Sequence, residues 1–284
     1  MSSLSIVIPA KNEADGLRKV LPDLVARHPE AEIIVVNDGS TDSTSEVCRE
    51  FQVTEVVHPY SKGNGAAIKS GARAASGELM VFMDGDGQHD PADIERLLAK
   101  VDEGFDLVVG ARSGVGSQAS VARWSANTLY NKLASSMVGH HIADLTSGFR
   151  AVRRHLFMEF LYLLPNGFSY PTTSTMAFFR AGYSVAFVPI EVANRIGTSH
   201  INLLRDGVRF FLIIFKIGTL YSPLKIFFPL SIVLGLLGSF NYLYTYLVDA
   251  RFTNMSAMMF LAAIIVFLIG LVSEQITNLM YKDV

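Results

Sequence analysis

The sequence contains little of what several protein classes require. Cys48 is the only cysteine among 284 residues, which excludes an intramolecular disulfide framework and a cysteine-rich zinc site. Charged residues make up 18% of the chain, where a soluble domain usually has about 25%. The formal net charge of −2 excludes a strongly basic nucleic-acid binder and also an acidic disordered chain. With 50% hydrophobic residues and a mean hydropathy of +0.33, the chain is unusually apolar for a soluble domain.

The apolar excess lies in two C-terminal runs that contain no charged residue. They are Ile226–Val248, with 23 residues, and Phe252–Ser273, with 22 residues. Helices rise about 1.5 Å per residue, so each run is long enough to cross a hydrocarbon core of about 30 Å. We therefore predict a segment 223–284 with two transmembrane helices, at about 226–248 and 252–273. A pair of buried core helices is the alternative.

The distribution of basic residues predicts the orientation of these spans. Lys225 precedes the first run, Lys282 follows the second, and only Arg251 lies between them. The positive-inside rule then places both the N-terminal part and the C-terminus in the cytoplasm. The first residues lack the charged and apolar regions of a signal peptide. We expect a multi-pass membrane protein with a cytoplasmic catalytic domain, and two spans without a targeting segment favour a bacterial inner membrane.

The segment 201–222 mixes apolar and basic side chains. Leu203, Phe210 and Ile214 alternate with Arg209 and Lys216 in a pattern that is too charged for a clean span. We predict an amphipathic helix that lies in the membrane interface, with its basic groups near lipid phosphates. A core helix of the preceding domain is the alternative.

Residues 1–200 alternate short apolar runs with longer amphipathic ones. The short runs are rich in Val and Ile and several lack polar alternation, as in strands buried on both faces of a sheet. The order of strand and helix predicts an α/β fold with a mostly parallel sheet. The predicted strands are Leu4–Ile8, Glu32–Val36, Thr54–Val57, Leu79–Met83, Leu107–Gly110 and Val185–Pro189. The predicted helices are Ala14–Arg27, Thr44–Phe51, Ala66–Ala75, Ala92–Glu103 and Ala122–Val138, with Asp90-Pro91 as the start of the fourth.

Polar clusters follow three of these strands, at the sheet edge where ligands gather in such folds. The third cluster begins with Asp84 and Asp86, two carboxylates on a glycine-containing turn, and Gln88 adds a neutral oxygen. Hard oxygen ligands suit Mg²⁺ or Mn²⁺, and the histidines and cysteines of a zinc site are missing. For Asp42, in the second cluster, we expect a helix cap. We predict a divalent-metal site at Asp84 and Asp86.

A glycine-rich loop, Lys62-Gly63-Asn64-Gly65, precedes the helix that carries Lys69. Glycines allow close approach of a ligand, and a helix N-terminus attracts anions. With Lys62 and Lys69, this loop can cradle a diphosphate. The spacing is not that of a P-loop. A plain surface loop remains the alternative.

Five motifs together resemble glycosyltransferase family 2. They are PAKNE at 9–13, NDGSTD at 37–42, KGNG at 62–65, DGDGQHDP at 84–91 and DLTSGFR at 144–150. The last narrows the resemblance to polyprenyl-phosphate glycosyltransferases of the dolichyl-phosphate mannose synthase type. The two C-terminal runs are similar to the bacterial branch with two transmembrane helices. The motifs span about residues 4–200, and their combination is specific although each alone is not.

The resemblance implies a GT-A fold that binds a nucleotide-sugar and a divalent cation, Mg²⁺ or Mn²⁺. It implies that Arg195 closes on the diphosphate and that Arg112 and Arg123 lie near an acceptor phosphate. The implied nucleotide-sugar residues are Pro9, Ala10, Asn12, Glu13, Asp38, Lys62, Lys69, Asp84, Arg195 and His200. The implied metal ligands are Asp84, Asp86 and Gln88, and the implied catalytic residues are Asp86, Asp144, Arg112 and Arg123.

Two positions depart from the resemblance. Many relatives have a lysine where this chain has His200, and histidine carries that charge only when protonated, with an ordinary pKa near 6.5. Many relatives also have a carboxylate within the segment 169–172, where this chain reads Ser-Tyr-Pro-Thr. We expect a weaker diphosphate clamp at neutral pH and a different sugar or acceptor pocket.

The implied reaction is a single inverting transfer of one sugar, from a UDP-glucose or GDP-mannose type of donor to a polyprenyl phosphate. Metal dependence, a hexosyltransferase activity and a homo-oligomer formed through the transmembrane helices follow from the same resemblance. Asp144 can orient the acceptor or a neighbouring arginine, or act as a base toward a neutral hydroxyl. The alternatives are a membrane family 2 enzyme with another acceptor and a catalytically silent nucleotide-sugar-binding scaffold. The intact Asp84 and Asp86 argue against the scaffold.

Overall fold

The chain divides into two compact units, Met1–Asn202 and Leu203–Val284. The computed structural model describes residues 3–112, 121–167, 169–193, 215 and 218–281, and for residues 121–126 it describes the backbone alone. The predicted interfacial helix at 201–222 therefore lies largely outside the described residues.

Seven strands of the first unit form one sheet in the order β3-β2-β1-β4-β6-β5-β7. Six strands run parallel to one another, and β6 runs antiparallel to both of its neighbours. The strands are β1 Leu4–Ala10, β2 Glu32–Asn37, β3 Thr54–Val57, β4 Leu79–Phe82, β5 Leu107–Arg112, β6 Arg150–Arg153 and β7 Val185–Ile190. The predicted α/β fold with a mostly parallel sheet is confirmed.

Helices follow most of the strands of this unit. Those in the described residues are α1 Ala14–Arg27, α2 Thr44–Glu50, α3 Asn64–Ala74, α4 Asp93–Asp102, α5 Val121–Val138, α6 Arg154–Glu159 and α7 Tyr170–Arg180. The fourth helix begins at Asp93, one residue after the predicted start, and Asp90 makes the contact expected of a helix start, since its Oδ1 accepts from the N–H of Ala92 at 2.9 Å. Strand β6 and helices α6 and α7 were absent from the prediction.

The sheet is buried on both faces, as the continuous apolar runs predict. Ile6, Val7 and Ile8 are successive residues of β1, and each is fully buried. Because neighbouring side chains on a strand point to opposite faces, both faces must be covered by helices. The buried sheet therefore holds the C-terminal ends of the parallel strands at one edge, and the polar loops begin there.

The antiparallel strand brings an additional segment to that edge. The parallel strands present their C-terminal ends there, so the antiparallel β6 presents its beginning, at Arg150. The residues just before Arg150 are the DLTSGFR motif. This topology places the motif beside the loops that follow β4 and β5.

The second unit contains a helical hairpin. Helix α8 (Leu224–Asp249) covers the first predicted span and helix α9 (Asn254–Met280) covers the second from its third residue onward, and both are long and apolar enough to cross a membrane. Ala250 adopts a left-handed conformation (φ 53°) at the end of α8, and the hydroxyl of Thr253 accepts from the N–H of Ser256 to cap α9. The turn between the helices is thus defined by local backbone geometry.

Candidate active site

The loops after β1 and β2 are joined directly. The N–H of Asp38 donates to the carbonyl of Ala10 at 2.8 Å, which extends the pairing of the two strands. Asn12, in a left-handed conformation (φ 55°), accepts through Oδ1 from the N–H of Thr41 at 2.8 Å. Pro9 lies in β1, and Glu13 precedes α1. The residues predicted for the nucleoside therefore form one continuous edge.

Asp42 makes the predicted helix cap and a second one. Its Oδ1 accepts from the N–H of Thr44 at 3.1 Å, at the start of α2. Its Oδ2 accepts from the N–H of Ala14 at 3.1 Å, at the start of α1. A carboxylate shared by two helix N-termini stabilises both, so Asp42 holds the β1 and β2 loops together.

Asp38 is buried, and its carboxylate accepts four hydrogen bonds from its own chain. The donors or partners are His58 Nδ1 at 2.6 Å, Lys62 N at 2.8 Å, Ser61 Oγ at 2.8 Å and Gly63 N at 2.9 Å. Burial alone would raise the pKa of Asp38, but these bonds outweigh it and lower the pKa to about 2. In this structure Asp38 organises the loop at 61–63; contact with a base or ribose remains a prediction.

The N-terminus of α3 is packed against a neighbouring loop. The N–H groups of Gly65 and Ala66 donate to the carbonyls of Gly167 and Asn166, at 3.1 and 2.9 Å. The Lys69 ammonium donates to the carbonyl of Leu164 at 3.0 Å. These backbone N–H groups are already engaged, so the predicted diphosphate cradle would depend on lysine side chains.

Lys62 is the exposed lysine of this loop. Its Nζ lies 5.9 Å from the ring centroid of Tyr60. The pKa of Lys69 is lowered by burial and by the neighbouring Arg73. Lys62 is therefore the more accessible of the two predicted diphosphate-binding cations.

The loop that follows β4 carries Asp84 and Asp86 and is packed tightly on two sides. A Cβ on Gly148 would lie 2.8 Å from Asp84 Oδ2, so the backbone of the DLTSGFR motif touches this carboxylate. On the other side, a Cβ on Gly16 of α1 would overlap the carbonyl of Gly85. A side chain at either glycine would clash, so the contact at Gly148 restrains the Asp84 carboxylate and the contact at Gly16 restrains the backbone of Gly85 and Asp86.

Gln88 links this loop to the residues after β7. Its side-chain Nε2 donates to the backbone carbonyl of Ala193 at 3.0 Å, and its backbone carbonyl accepts from the N–H of Ala193 at 3.0 Å. The N–H of Gln88 donates to Asp86 Oδ1 at 3.2 Å. Its predicted role as a metal ligand stays a prediction; its amide nitrogen already has a structural partner.

The donor set suits a divalent cation whose remaining ligands come from a substrate. Within the described residues, no group of three His, Cys, Asp or Glu side chains forms a self-sufficient metal site. Mg²⁺ is usually held by one or two carboxylates together with water and substrate phosphates, not by an all-protein cage. Asp84 and Asp86 fit that pattern, and the close packing of Gly148 leaves Asp84 little freedom.

Arg112 and Asp144 form a two-pronged ion pair. Arg112 Nε lies 2.7 Å from Asp144 Oδ2, and Nη2 lies 3.0 Å from Oδ1. Nη2 also donates to Thr146 Oγ1 at 2.6 Å. The Arg112 side chain is 26% exposed, whereas that of Asp144 is 6% exposed. The buried Asp144 therefore anchors the guanidinium of Arg112, whose side chain is partly accessible.

The electrostatics of the pair favour its charged form. Burial would raise the pKa of Asp144, but the Arg112 hydrogen bonds and charge outweigh it, so that pKa is lowered. Burial would lower the pKa of Arg112, but Asp144 and then Asp84 outweigh it and raise that pKa. A carboxylate that is paired and ionised in this way is a poor general base.

The remaining predicted cations are only partly described. Arg123 lies in the first turn of α5, and nothing is described of its side chain. Arg195 and His200 lie outside the described residues. Their predicted contacts with the acceptor phosphate and the diphosphate stay predictions.

Sequence reasoning assigned no role to Arg150 or Tyr170, which the structure places beneath the site. Both are buried, with Arg150 Cζ 5.5 Å from the centroid of the Tyr170 ring. The Tyr170 hydroxyl donates to the carbonyl of Gly148 at 2.9 Å. The signal for Arg150 was present in the DLTSGFR motif, but a charged residue does not predict complete burial.

Two family profiles match this chain. Glycosyl transferase family 2 matches residues 5–161, and the GtrB C-terminal hairpin matches residues 222–279. The polyprenol monophosphomannose synthase of Mycolicibacterium smegmatis is 31% identical over 206 residues, which cover 67% of this chain and 77% of the relative. An undecaprenyl-phosphate 4-deoxy-4-formamido-L-arabinose transferase of Klebsiella pneumoniae is 32% identical over 170 residues, covering 55% of this chain and only 50% of the relative.

Solved structures match the fold of most of this chain. Glucosyl-3-phosphoglycerate synthase from Mycobacterium tuberculosis, in complex with Mn²⁺, UDP and glucosyl-3-phosphoglycerate, aligns with a TM-score of 0.59 at 24% identity. The alignment covers 76% of this chain and 79% of that chain. The same enzyme with Mg²⁺ and UDP aligns with a TM-score of 0.61. These likenesses establish a GT-A type of fold.

Proposed function

The chain belongs to glycosyltransferase family 2, and from that premise we propose that it transfers one sugar from a nucleoside-diphosphate sugar to a polyprenyl phosphate. Two relatives support this proposal by name, a polyprenol monophosphomannose synthase and an undecaprenyl-phosphate 4-deoxy-4-formamido-L-arabinose transferase. The hairpin profile at 222–279 supports a membrane-held enzyme of the same kind. The chain spans about half the length of the undecaprenyl-phosphate relatives, so acceptor and donor are both part of the proposal.

The observation that carries the proposal is the Arg112–Asp144 pair. Arg112 is anchored by two hydrogen bonds to one carboxylate, and 26% of its side chain stays exposed. An arginine held in this way is preorganised to bind a phosphate with its free donors. Its electrostatic interaction with Asp84 relates this phosphate site to the predicted metal site.

For the donor, we propose that its diphosphate meets the loop that carries Asp84 and Asp86. Mn²⁺ or Mg²⁺ bound there would neutralise negative charge that develops on the departing diphosphate. Asp84 and Asp86 would hold the cation, and Lys62 would attract the diphosphate. The nucleoside would lie along the edge formed by Pro9, Ala10, Asn12, Glu13 and Asp38. The named cations of related structures, Mn²⁺ and Mg²⁺, support this choice.

The reaction is an in-line displacement at the anomeric carbon. An oxygen of the lipid phosphate forms the new bond, the bond to the diphosphate oxygen breaks, and the nucleoside diphosphate departs with the electron pair. A phosphate monoester is already ionised near neutral pH, so no proton must be removed. Asp144 then serves to orient Arg112, in agreement with its lowered pKa. A single displacement inverts the configuration of the sugar.

The second unit gives the enzyme access to a lipid acceptor. We propose that α8 and α9 cross the membrane, since each is long and apolar enough to do so. The headgroup of a polyprenyl phosphate lies at the membrane surface while its chain stays in the bilayer. A catalytic unit tethered by a hairpin meets this headgroup without extracting the lipid.

The test is sugar transfer by the full chain in detergent. We would supply a panel of labelled nucleotide-sugars, a polyprenyl phosphate and either Mg²⁺ or Mn²⁺ to the wild type and to Asp86→Ala. Asp102→Ala, an exposed carboxylate on α4, is the matched control. Label that enters the organic phase with one donor, is lost in Asp86→Ala and persists in Asp102→Ala supports the proposal. If the protein binds nucleotide but no donor gives lipid-linked label, the proposed polyprenyl-phosphate acceptor is wrong. If the protein binds no nucleotide, the proposed glycosyltransferase activity is wrong.

A further inference from the structure

One stretch of backbone connects the predicted acceptor and metal sites. We call Ala143–Gly148 the support segment. Near its beginning, Asp144 pairs with Arg112; at its end, Gly148 packs against the carboxylate of Asp84. The position of this segment therefore sets the separation between the phosphate-binding arginine and the metal-binding carboxylate.

Asn131, on α5, holds the beginning of the support segment. Its Nδ2 donates to the carbonyl of Ala143 at 2.7 Å, and its Oδ1 accepts from the N–H of Leu145 at 3.0 Å. One side chain thus fixes the peptide groups on both sides of Asp144. Because α5 carries Arg123 in its first turn, the same contacts relate the helix of that predicted acceptor arginine to the Arg112–Asp144 pair.

A second contact from α5 supports the same attachment. Ser135 lies one turn after Asn131, and its hydroxyl accepts from the N–H of Ile142 at 2.9 Å. The hydroxyl donates in turn to the carbonyl of Asn131 at 2.6 Å. Helix α5 therefore bonds to the backbone at Ile142, Ala143 and Leu145, which restrains the rotation of the segment as well as its distance from α5.

Arg150 holds the end of the support segment from below. Its Nη2 donates to the carbonyl of Ser147, and its Nη1 donates to Ser174 Oγ of α7 at 2.7 Å. Its guanidinium lies over the ring of Tyr170, whose hydroxyl binds the carbonyl of Gly148. Two neighbouring carbonyls of the segment are therefore fixed by one cluster.

Burying Arg150 is energetically costly, which indicates that its hydrogen bonds to the support segment serve the site and not stability alone. The side chain is fully buried, and its Nε has no hydrogen-bond partner among the described residues. Burying a guanidinium with an unpartnered N–H is costly, and an apolar side chain of similar volume would often be more stable. Asp144 and Asp84 interact with it electrostatically, so its charge also offsets the two carboxylates that flank the segment.

We propose that Asn131 and Arg150 are positioning residues that hold the two ends of the support segment, Asn131 acting on Arg112 through Asp144 and Arg150 acting on Asp84 through Gly148. This rests on the proposed function, in which Arg112 meets the acceptor phosphate and Asp84 meets the metal. It predicts that the two residues affect different ligands.

The acceptor arm uses Asn131→Asp and Asn131→Leu in the full chain. The first keeps the acceptor for Leu145 and loses the donor to Ala143; the second loses both and adds no charge. We expect each to raise the KM for a short-chain polyprenyl phosphate about tenfold, the effect of a lost hydrogen bond, with the KM for the donor and the Mn²⁺ affinity unchanged. Lys132→Ala, the adjacent exposed position, is the control and changes neither KM.

The metal arm measures Mn²⁺ binding to the full chain in the presence of UDP or GDP, whose phosphates supply the ligands that the protein lacks, by electron paramagnetic resonance. Arg150→Lys keeps the charge but loses the forked donors, and Tyr170→Phe removes only the bond to Gly148. We expect Mn²⁺ affinity to fall about tenfold in Arg150→Lys, as for residues that orient metal ligands, and less in Tyr170→Phe. Arg153→Lys, on the same strand and partly exposed, is the control and leaves the affinity unchanged.

The arms fail separately. If the Asn131 variants lower the Tm but leave the acceptor KM unchanged, or raise both KM values equally, Asn131 has only a structural role. If Arg150→Lys and Tyr170→Phe lower the Tm and leave Mn²⁺ affinity unchanged, the role of Arg150 is overturned. A wild type that binds Mn²⁺ but transfers no sugar to lipid overturns the proposed function and the acceptor arm with it, while the metal arm still decides the role of Arg150.

Discussion

Gly148 packs directly against the carboxylate of Asp84, so closely that a Cβ on this glycine would lie 2.8 Å from Oδ2. The two residues are far apart in sequence and meet because β6 is antiparallel to β4. A residue with any side chain would have to displace a carboxylate predicted to bind metal. The glycine of the DLTSGFR motif is therefore required by packing around the site.

We predict that Gly148→Ala weakens metal binding. The added methyl group would push the Asp84 carboxylate by several tenths of an ångström, which disturbs a ligand whose position matters. We expect Mn²⁺ affinity to fall about tenfold or more, as measured by titration of the full chain. Gly167→Ala is the matched control, since a Cβ there meets no atom within 4 Å. Equal affinities in the two variants would contradict the prediction.

We predict that Asp144→Asn raises the acceptor KM and lowers kcat much less. The variant keeps the shape of the side chain but leaves Arg112 without its charged partner, so the guanidinium loses its fixed orientation. A general base would behave differently, because its loss typically lowers kcat by about 10²–10⁴-fold. Steady-state kinetics with the acceptor varied distinguishes the two roles.

The pH dependence of the wild type provides a separate prediction for Asp144. Its pKa is lowered by Arg112, so the carboxylate stays ionised as the pH falls from 8 to 5. We therefore expect no acidic limb from this group in kcat/KM for the acceptor over that range. A limb within it that disappears in Asp144→Asn would show that Asp144 titrates there and would contradict the ion-pair role.

The parts of the structure that the sequence predicts well are those that depend on local pattern. The strands from β1 to β5 follow from apolar runs, and the loop at Asp84 follows from glycines and carboxylates just after such a run. The topology could not be predicted in the same way. The strand Arg150–Arg153 is short, begins and ends with arginine, and has no apolar run to mark it.

Helix α7 escaped prediction for a different reason. Its first half is rich in hydroxyl residues and reads as a loop, yet Thr172, Ser174 and Thr175 are buried. The Ser174 hydroxyl donates to the carbonyl of Tyr170 at 2.9 Å, and that of Thr175 donates to the carbonyl of Pro171 at 2.9 Å. Hydroxyls satisfied by the preceding turn can be buried in a helix, and residue composition alone does not reveal it.

We predict that Asp38→Asn destabilises the first unit in a pH-dependent way. The pKa of Asp38 is lowered from 3.8 to about 2 in the folded state, which corresponds to about 2 kcal/mol of stability when the group is ionised. Because the folded pKa is below the unfolded one, this stability is present above pH 4 and is lost as the pH falls toward 2. Thermal unfolding of both proteins should differ most near neutral pH and converge in acid. A constant difference would contradict the linkage.

Small residues allow the two helices of the hairpin to approach closely. A Cβ on Gly270 would lie 2.7 Å from the Cβ of Phe227, whereas a Cβ on Gly235 would lie 3.9 Å from that of Ala263. In a membrane, helices associate largely through such close packing, because lipid removes the hydrophobic driving force between them.

This pair of glycines provides a matched test of the hairpin. Gly270→Ala forces the helices apart and should lower the free energy of unfolding by about 1–3 kcal/mol, as overpacking does. Gly235→Ala makes only an ordinary van der Waals contact and removes a flexible residue from a helix, so we expect no loss of stability. Denaturation of the full chain in detergent compares the two variants, with the loss of helix followed by far-UV circular dichroism. Equal effects would mean that the contact at Gly270 does not hold the helices together, and that the hairpin depends instead on the polar contacts of Asn241 with Ser256 near its turn.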